Sequence, residues 1–288
     1  MHHLNPQKLE AALYVVATPI GNLRDITLRA LDVLTSADAV AAEDTRNTAH
    51  LLSHHGITAN KLMAVHQHNE RGAAEKIVAM LQAGQSVAFV SDAGTPAVSD
   101  PGALLVQAVL AAGLRVIPVP GASAAVAALS ASGLSAPHFL FYGFLPNKSA
   151  ARCTVLQGLQ GHPYTLVFYE APHRIVECVA DLHAVFGGAR QIVLAREVTK
   201  LFETIHSCSL SEAEAWLQSD SNQQRGEFVV LVSGAEPQQG LPAEALSTLS
   251  LLLEELPLKQ AVQLAAKISG ANRSELYQEA LRMKEAAE

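Results

Sequence analysis

Short apolar, β-branched runs alternate along this chain with longer segments whose apolar residues recur every three or four positions. The runs 13–17 (LYVVA), 37–43 (ADAVAAE), 62–66 (LMAVH), 86–90 (SVAFV) and 114–119 (LRVIPV) read as strands. Between them, 27–37, 45–55, 70–84 and 102–113 carry the helical period, and several end in glycine. The strand-and-helix alternation predicts a parallel sheet covered on both faces. After 120–134 the pattern restarts. Strands are predicted at 138–144, 164–170, 190–196, 203–207 and 227–233, with helices over 149–158, 172–186 and 210–218. Two α/β units follow, joined somewhere in 119–138. The stretch 234–244 (GAEPQQGLPAE) reads as a linker, and three short amphipathic helices close the chain, a compact unit resembling helix-turn-helix packing.

Composition narrows the class. With 288 residues, 49% hydrophobic and 16% charged, the chain has material for two ordinary domains and a large core. No apolar stretch approaches the length of a membrane span, and the first residues lack the layout of a secretory signal, so a protein away from membranes is expected. Three widely spaced cysteines (Cys153, Cys178, Cys208) point to a reducing, cytoplasmic setting without disulfides or structural zinc. Twelve histidines offer SHHGI (53–57) and VHQHNE (65–70), but neither has the spacing of a metal site, and no metal is expected. The net charge of −7 argues against a basic nucleic-acid coat while leaving room for a local basic patch.

In open parallel sheets ligands sit at the carboxyl ends of strands, so the turns there carry the chemistry. The turn 17–27 (ATPIGNLRDIT) has Pro19 without an N–H and Gly21 for a tight bend, with Asp25 available to cap the next helix. The turn 91–102 (SDAGTPAVSDPG) contains no lysine, no GxxxxGK[ST] and no GxGxxG. These absences argue against a triphosphate cradle, and small residues with mild negative charge suit an uncharged or cationic organic ligand. Asp100 has an ordinary use there as the cap of the following helix. In 119–125 (VPGASAA), Ser123 stands ready to cap a helix whose neighbours are small. S-adenosylmethionine fits this combination: it has no phosphate, carries a positive sulfonium, and presents polar groups to backbone.

Read together and in order, VVATPIGNLRDITLRAL, AAEDTRNT, FVSDAGTPAVSDPG, VPGASA, FYGFLP, FYEAPHR, AREVTKLFE and GEFVVLVSG resemble the ribosomal RNA small subunit methyltransferase I family, a branch of the tetrapyrrole methylases. The resemblance covers about residues 12 to 234 and implies domains at 12–122 and 123–236, both α/β with mostly parallel sheets, and a helical unit at 241–288. It implies S-adenosylmethionine held in the cleft between the α/β domains of a homodimer. The activity implied is methylation of a cytidine 2′-hydroxyl in the decoding region of 16S rRNA, on the small ribosomal subunit. Carried over by position, the donor would touch Pro19, Gly94, Thr95, Val98, Ser123 and Ala124, with Tyr169 and Ala195 from the second domain. Cobalamin and sirohaem relatives usually carry Gly-Asp-Pro in the loop that here reads Gly94-Thr95-Pro96, so an aspartate contact at Thr95 is not carried over.

Methyl transfer to a ribose hydroxyl needs in-line positioning and help with the proton. Glu43 and Arg46 in EDTR and Glu170 in YEAPHR are the residues expected near the acceptor, with Asp44 and Asp25 close by in sequence. A helix cap with Glu43 and Arg46 paired is the competing structural use of EDTR. RNA contact is expected from Arg24, Arg46, Lys148, Arg152, His173, Arg174 and Lys200, all in turns on the strand-end side. Two rivals stay open at this level: a small-molecule tetrapyrrole methylase, which the net acidity favours mildly, and an assembly factor that has kept the cleft without chemistry.

Overall fold

The computed structural model describes residues 8–134, 137–236 and 241–285. Residues 237–240, inside the expected linker, and residues 1–7, where a signal sequence was considered, lie outside the described residues. The chain forms two compact units, the first ending at Ala235 and the second beginning at Glu236.

The first half of the larger unit holds β1 (Leu13–Val16), α1 (Leu28–Ser36), β2 (Ala39–Ala42), α2 (Thr45–His54), β3 (Leu62–Ala64), α3 (Glu70–Gln82), β4 (Val87–Val90), α4 (Ala103–Ala111), β5 (Val116–Val119) and α5 (Ala124–Ala131). Its five strands are parallel throughout, in the order β3-β2-β4-β1-β5. Both faces of the sheet are buried: Tyr14, Val16, Val40 and Val90 pack one core with Val33, Leu34 and Leu52. Leu13, Ala41, Val87 and Phe89 pack the other with Ile77, Leu81, Leu105 and Val109. Two-sided burial is why β2 and β4 read as unbroken apolar runs instead of alternating.

The second half contains β6 (Phe139–Phe144), α6 (Ser149–Leu159), β7 (Thr165–Glu170), α7 (Ile175–Phe186), β8 (Gln191–Arg196), β9 (Thr204–Ser209), α8 (Leu210–Ser219) and β10 (Phe228–Val232). The expected parallel sheet is mixed here. Its order is β6-β7-β10-β8-β9, with β6 and β7 parallel and the other three pairings antiparallel. The link between β8 and β9 is too short for a crossover helix, so those strands meet as a hairpin. β10 returns through the centre, between β7 and β8. The second unit consists of α9 (Ala243–Glu255), α10 (Leu258–Ser269) and α11 (Arg273–Glu285). They close around Ala245, Leu249, Val262, Ala265, Leu276 and Ala280.

Capping differs from the sequence expectation at two turns. Thr27, not Asp25, caps α1, accepting from the Ala30 N–H at 3.1 Å. Asp100 does not cap α4. The N-cap is Gly102, whose φ of 127° suits glycine, and an added Cβ there would lie 2.3 Å from Phe89 Cε1. The orphan N–H groups of α4 are met instead by a carboxylate from another helix. Glu70 Oε1 accepts from Gly102, Leu104 and Leu105 at 3.0, 2.9 and 3.2 Å. This buried carboxylate also sits favourably at the positive end of the helix. Glu70→Ala is expected to lower the stability of the larger unit by about 1–3 kcal/mol, with partial recovery in Glu70→Gln; urea unfolding followed by far-UV circular dichroism checks this.

Candidate functional site

Three loops leave the carboxyl ends of the adjacent strands β4, β1 and β5, and backbone bonds tie them together. Thr18 N donates to Gly94 O at 2.9 Å and Gly94 N donates back to Thr18 O at 3.1 Å, an isolated antiparallel bridge between the first two loops. The Thr18 hydroxyl donates to Ser91 O at 3.2 Å, and the Thr95 hydroxyl reaches Ala122 O in the third loop at the same distance. Gly121 is needed for this approach, since a Cβ there would fall 2.9 Å from Ala17 Cβ.

Against this wall the second half places its own strand ends, and a cavity of about 310 Å³ opens between them. That volume is at the small end of the range for organic ligands. Gly94, Thr95, Val98, Ser123, Ala124 and Tyr169, expected at the donor, line it together with Glu170, expected near the acceptor, and Lys200, expected at RNA. Ser123 is the N-cap of α5 but makes no side-chain capping bond. Tyr169 accepts from Ala125 N at 3.3 Å and stands edge-on to Phe141 and Phe144. Two expected donor contacts fall elsewhere. Pro19 lines an adjoining cavity of about 250 Å³, with Asn47, His50 and Asp92, and that cavity shares Ile20 and Ala93 with the first. Ala195 is fully buried, packed with Ala125, Ala128 and Val229 beneath the cavity, and does not line it.

Other lining residues were not expected at a ligand from the sequence, among them Phe144, Val198 and Asp100, the last read only as a helix cap. For Phe144 the signal lay in FYGFLP. Gly143 marks a register shift in the pairing of β6 with β7, next to the residue that enters the cavity. For Val198 it is backbone strain. Among the described residues, the non-glycine positions with positive φ are Ala97, Ser99, Glu197 and Thr199, all in the two loops that flank this one cavity. Such concentration is a mark of functional sites.

The charges in and around the cavity are predominantly acidic. Asp100, Glu170 and Glu227 line it, and Lys200 is its one lining cation. That cation is bound by Glu197 at 2.7 Å and Glu227 at 2.8 Å. Burial opposes its charge, but these bonds outweigh burial and hold its pKa above the usual lysine value. Glu170 has no exposed side-chain area, accepts from Ala171 N at 2.8 Å and is ion-paired with Arg174 at 3.2 Å. Beside the cavity, Glu43 is pushed up by burial and by the charges of Asp92 and Asp44, against a bond from Asp92 N. Asp100 is pushed up to about 6, by burial first and then by Glu43, with Asp92 adding to it and the Ser91 hydroxyl opposing. Asp44, as the N-cap of α2, accepts from Arg46 N and pairs with the Arg46 guanidinium at 2.6 Å, so Arg46 pairs with Asp44 and not with Glu43. Arg46 is 89% exposed and lines neither cavity.

The basic residues separate into two groups. Arg24, Lys148 and His173 are exposed. Arg152 is not available to an external partner: its side chain is 0% exposed, with Nε 2.6 Å from Asp181 Oδ2. Its position inside α6, facing α7, puts the guanidinium in the core of the second half. Arg174, 14% exposed, is likewise directed inward, to Leu145 O at 2.8 Å, Asn147 and Glu170. Lys200 is engaged by the two carboxylates named above. Among the described residues no group of three His, Cys, Asp or Glu side chains is placed to hold a metal ion. Nor is any helix among them long and apolar enough to cross a membrane.

Comparison with known proteins agrees with this architecture. Residues 12–214 match the family model of tetrapyrrole (corrin/porphyrin) methylases, and residues 239–284 match that of the RsmI C-terminal HTH domain. The chain is 56% identical over 272 residues to ribosomal RNA small subunit methyltransferase I of Pseudomonas aeruginosa, covering 93% of this chain and 96% of the relative. It is 50% identical over 280 residues to the protein of the same name from Escherichia coli O157:H7, covering 97% and 98%. A solved uroporphyrin-III C-methyl transferase from Thermus thermophilus, complexed with S-adenyl homocysteine, shares the fold with a TM-score of 0.53. It is 20% identical, over 76% of this chain and 96% of that one.

The buried ion pair yields a stability test. Arg152→Ala leaves Asp181 without its cation in a largely water-free place and is expected to destabilise the larger unit by about 3 kcal/mol. Denaturant unfolding of Arg152→Ala beside Lys148→Ala, an exposed control expected within about 0.5 kcal/mol of the parent, measures the difference.

Proposed function

The chain belongs to the ribosomal RNA small subunit methyltransferase I family, within the tetrapyrrole methylases, and on that premise we propose that it transfers a methyl group from S-adenosylmethionine to small-subunit rRNA. The observation that carries this reading is the cavity between the two halves. It is walled by small residues and backbone, its cation is already neutralised, and unpaired negative charge faces it. A polyphosphate would meet repulsion there, whereas a sulfonium would be attracted. Gly94, Thr95, Val98, Ser123, Ala124 and Tyr169 are the donor contacts in this reading. Pro19 shapes the adjoining turn, and Ala195 supports the cavity floor from below.

The finer part of the proposal is a cytidine 2′-hydroxyl in the decoding region as acceptor, reached by a homodimer on the small subunit. The family's motifs at 43–46 and 168–174 support it. In this reading these residues have different parts. Glu43 belongs to the acids beside the cavity, Arg46 is exposed and would leave its pairing with Asp44 to meet a phosphate, and Glu170 holds Arg174 and thereby the turn after β7. Arg24, Lys148 and Arg46 are the proposed phosphate contacts. In-line placement of donor and acceptor within the closed cleft supplies much of the acceleration.

Calorimetry with S-adenosylhomocysteine is expected to show one site per chain, and Ala124→Trp, which fills the cavity, to weaken binding at least about 100-fold (2.7 kcal/mol) while the far-UV spectrum is unchanged. Tritiated donor offered with small subunits, free 16S rRNA or a porphyrinoid tests the acceptor class. Alkaline hydrolysis of the labelled RNA then reports the atom, because a 2′-O-methyl protects the adjoining phosphodiester and a base methyl does not. Label on the porphyrinoid alone would overturn the reading. Arg24→Ala and Lys148→Ala should each reduce the slope of log affinity against log salt by about 1.

A further inference from the structure

Three acidic residues line the cavity, and the carboxylates of two of them are committed. Glu170 is ion-paired with Arg174 and Glu227 with Lys200, while Asp100 has no ion-pair partner among the described residues. Asp100 is also released from the duty that its sequence position suggests. The N–H groups at the start of α4 are already met by Glu70 from α3, so the carboxylate two residues before the N-cap has no capping bond to make. The chain around it is held in an uncommon form, with Ala97 and Ser99 both in the left-handed region just ahead of it, and Asp100 is one of the residues lining the cavity.

We propose that Asp100 is the proton acceptor of the transfer, taking the proton from the ribose hydroxyl as that oxygen attacks the donor's methyl carbon. The inference rests on the reading of this cavity as the site of S-adenosylmethionine-dependent 2′-O-methylation. In the step, the 2′-oxygen forms the new O–C bond and the methyl carbon–sulfur bond breaks with its electron pair left on sulfur. The 2′-proton passes to the Asp100 carboxylate. The products are a methyl ether, neutral S-adenosylhomocysteine and a protonated Asp100, which returns its proton to solvent. No further reactant is needed.

The surroundings suit a group that must accept a proton near neutrality and then release it. From its own loop Asp92 faces it, from the end of β2 Glu43, and from the start of α2 the Asp44–Arg46 pair lies beyond Glu43. From β7 come Tyr169 and Glu170, from the loop before β9 Lys200, and from the start of β10 Glu227. The phenol of Tyr169 is raised above its ordinary value, by burial first and by the Asp100 charge among lesser causes, and stays neutral where Asp100 titrates. Burial and Glu43 together push Asp100 up to about 6. A proton acceptor works in its ionised form, so transfer should be weak below that pH and level off above it.

The test compares wild type, Asp100→Asn and Glu43→Gln in tritiated-methyl transfer to small subunits from about pH 5 to about pH 9, with S-adenosylhomocysteine affinity measured in parallel. Asp100→Asn is expected to bind S-adenosylhomocysteine within about threefold of wild type, to lose about 10²–10⁴ in kcat, and to lose the acid limb of the rate profile. Glu43→Gln removes a neighbouring negative charge and should move that limb to lower pH. Asp100→Asn with kcat within tenfold of wild type, or Asp100→Asn that no longer binds S-adenosylhomocysteine, overturns the proposal. So does an acid limb unmoved in Glu43→Gln. Failure of the underlying reading looks different: wild type itself would then place no alkali-protecting methyl on the RNA.

Discussion

Two backbone hydrogen bonds, exchanged between Thr18 and Gly94, hold the site together. They join loops separated by most of the first sheet's sequence, and because both partners are main chain they set the spacing of those loops whatever the side chains do. The Thr95 hydroxyl extends the tie to the third loop, and Gly121 lets that loop approach without a Cβ in the way. One continuous wall results, built almost entirely from backbone and small side chains. A wall of this kind offers amide donors and carbonyl acceptors at fixed places while leaving the volume of the cavity to the ligand.

The second half supplies what the wall lacks. Tyr169 and Phe144 bring aromatic surface, and Lys200 is matched with two carboxylates. Its electrostatics follow from this matching. A loop that reads as basic in sequence contributes no free cation, so the balance at the cavity falls to the acids. The same pairing habit recurs at Glu170 with Arg174 and at Asp181 with Arg152. The Glu170–Arg174 pair joins the end of β7 to the start of α7, and the Arg152–Asp181 pair joins α6 to α7.

The strand-and-helix alternation was legible to within a few residues, because two-sided burial writes unbroken apolar runs such as VAFV and amphipathic helices have their own period. The turns around 94, 98 and 123 were legible as well, through their small residues and their place at strand ends. The antiparallel pairings of β8, β9 and β10 were not. β10 is buried on both faces like the parallel strands of the first sheet, so its burial does not betray its direction, and the shortness of the β8–β9 link is the hint. Arg152 misled for a related reason. A long side chain at a helix start looks solvent-bound unless the partner, here Asp181, is known to sit 29 positions on, directly opposite. Asp100 misled in the other direction, because a Glu70 remote in sequence had already taken over the helix cap.

The place of β10 bears on how the molecule comes into being. The first sheet draws its five strands from residues 13–119 and has all of them once that segment has left the ribosome. The second cannot be completed in the same running order, because its central strand is the last of its five to be made. Until residues 228–232 arrive, β7 and β8 have no partner between them, and the part of the cavity formed by Glu227, Phe228 and Val229 does not exist. Nascent chains shorter than this present an open gap flanked by apolar strands, a form prone to wrong pairing. The cavity between the two halves thus comes late in synthesis, after nearly all of the larger unit's sequence has been translated.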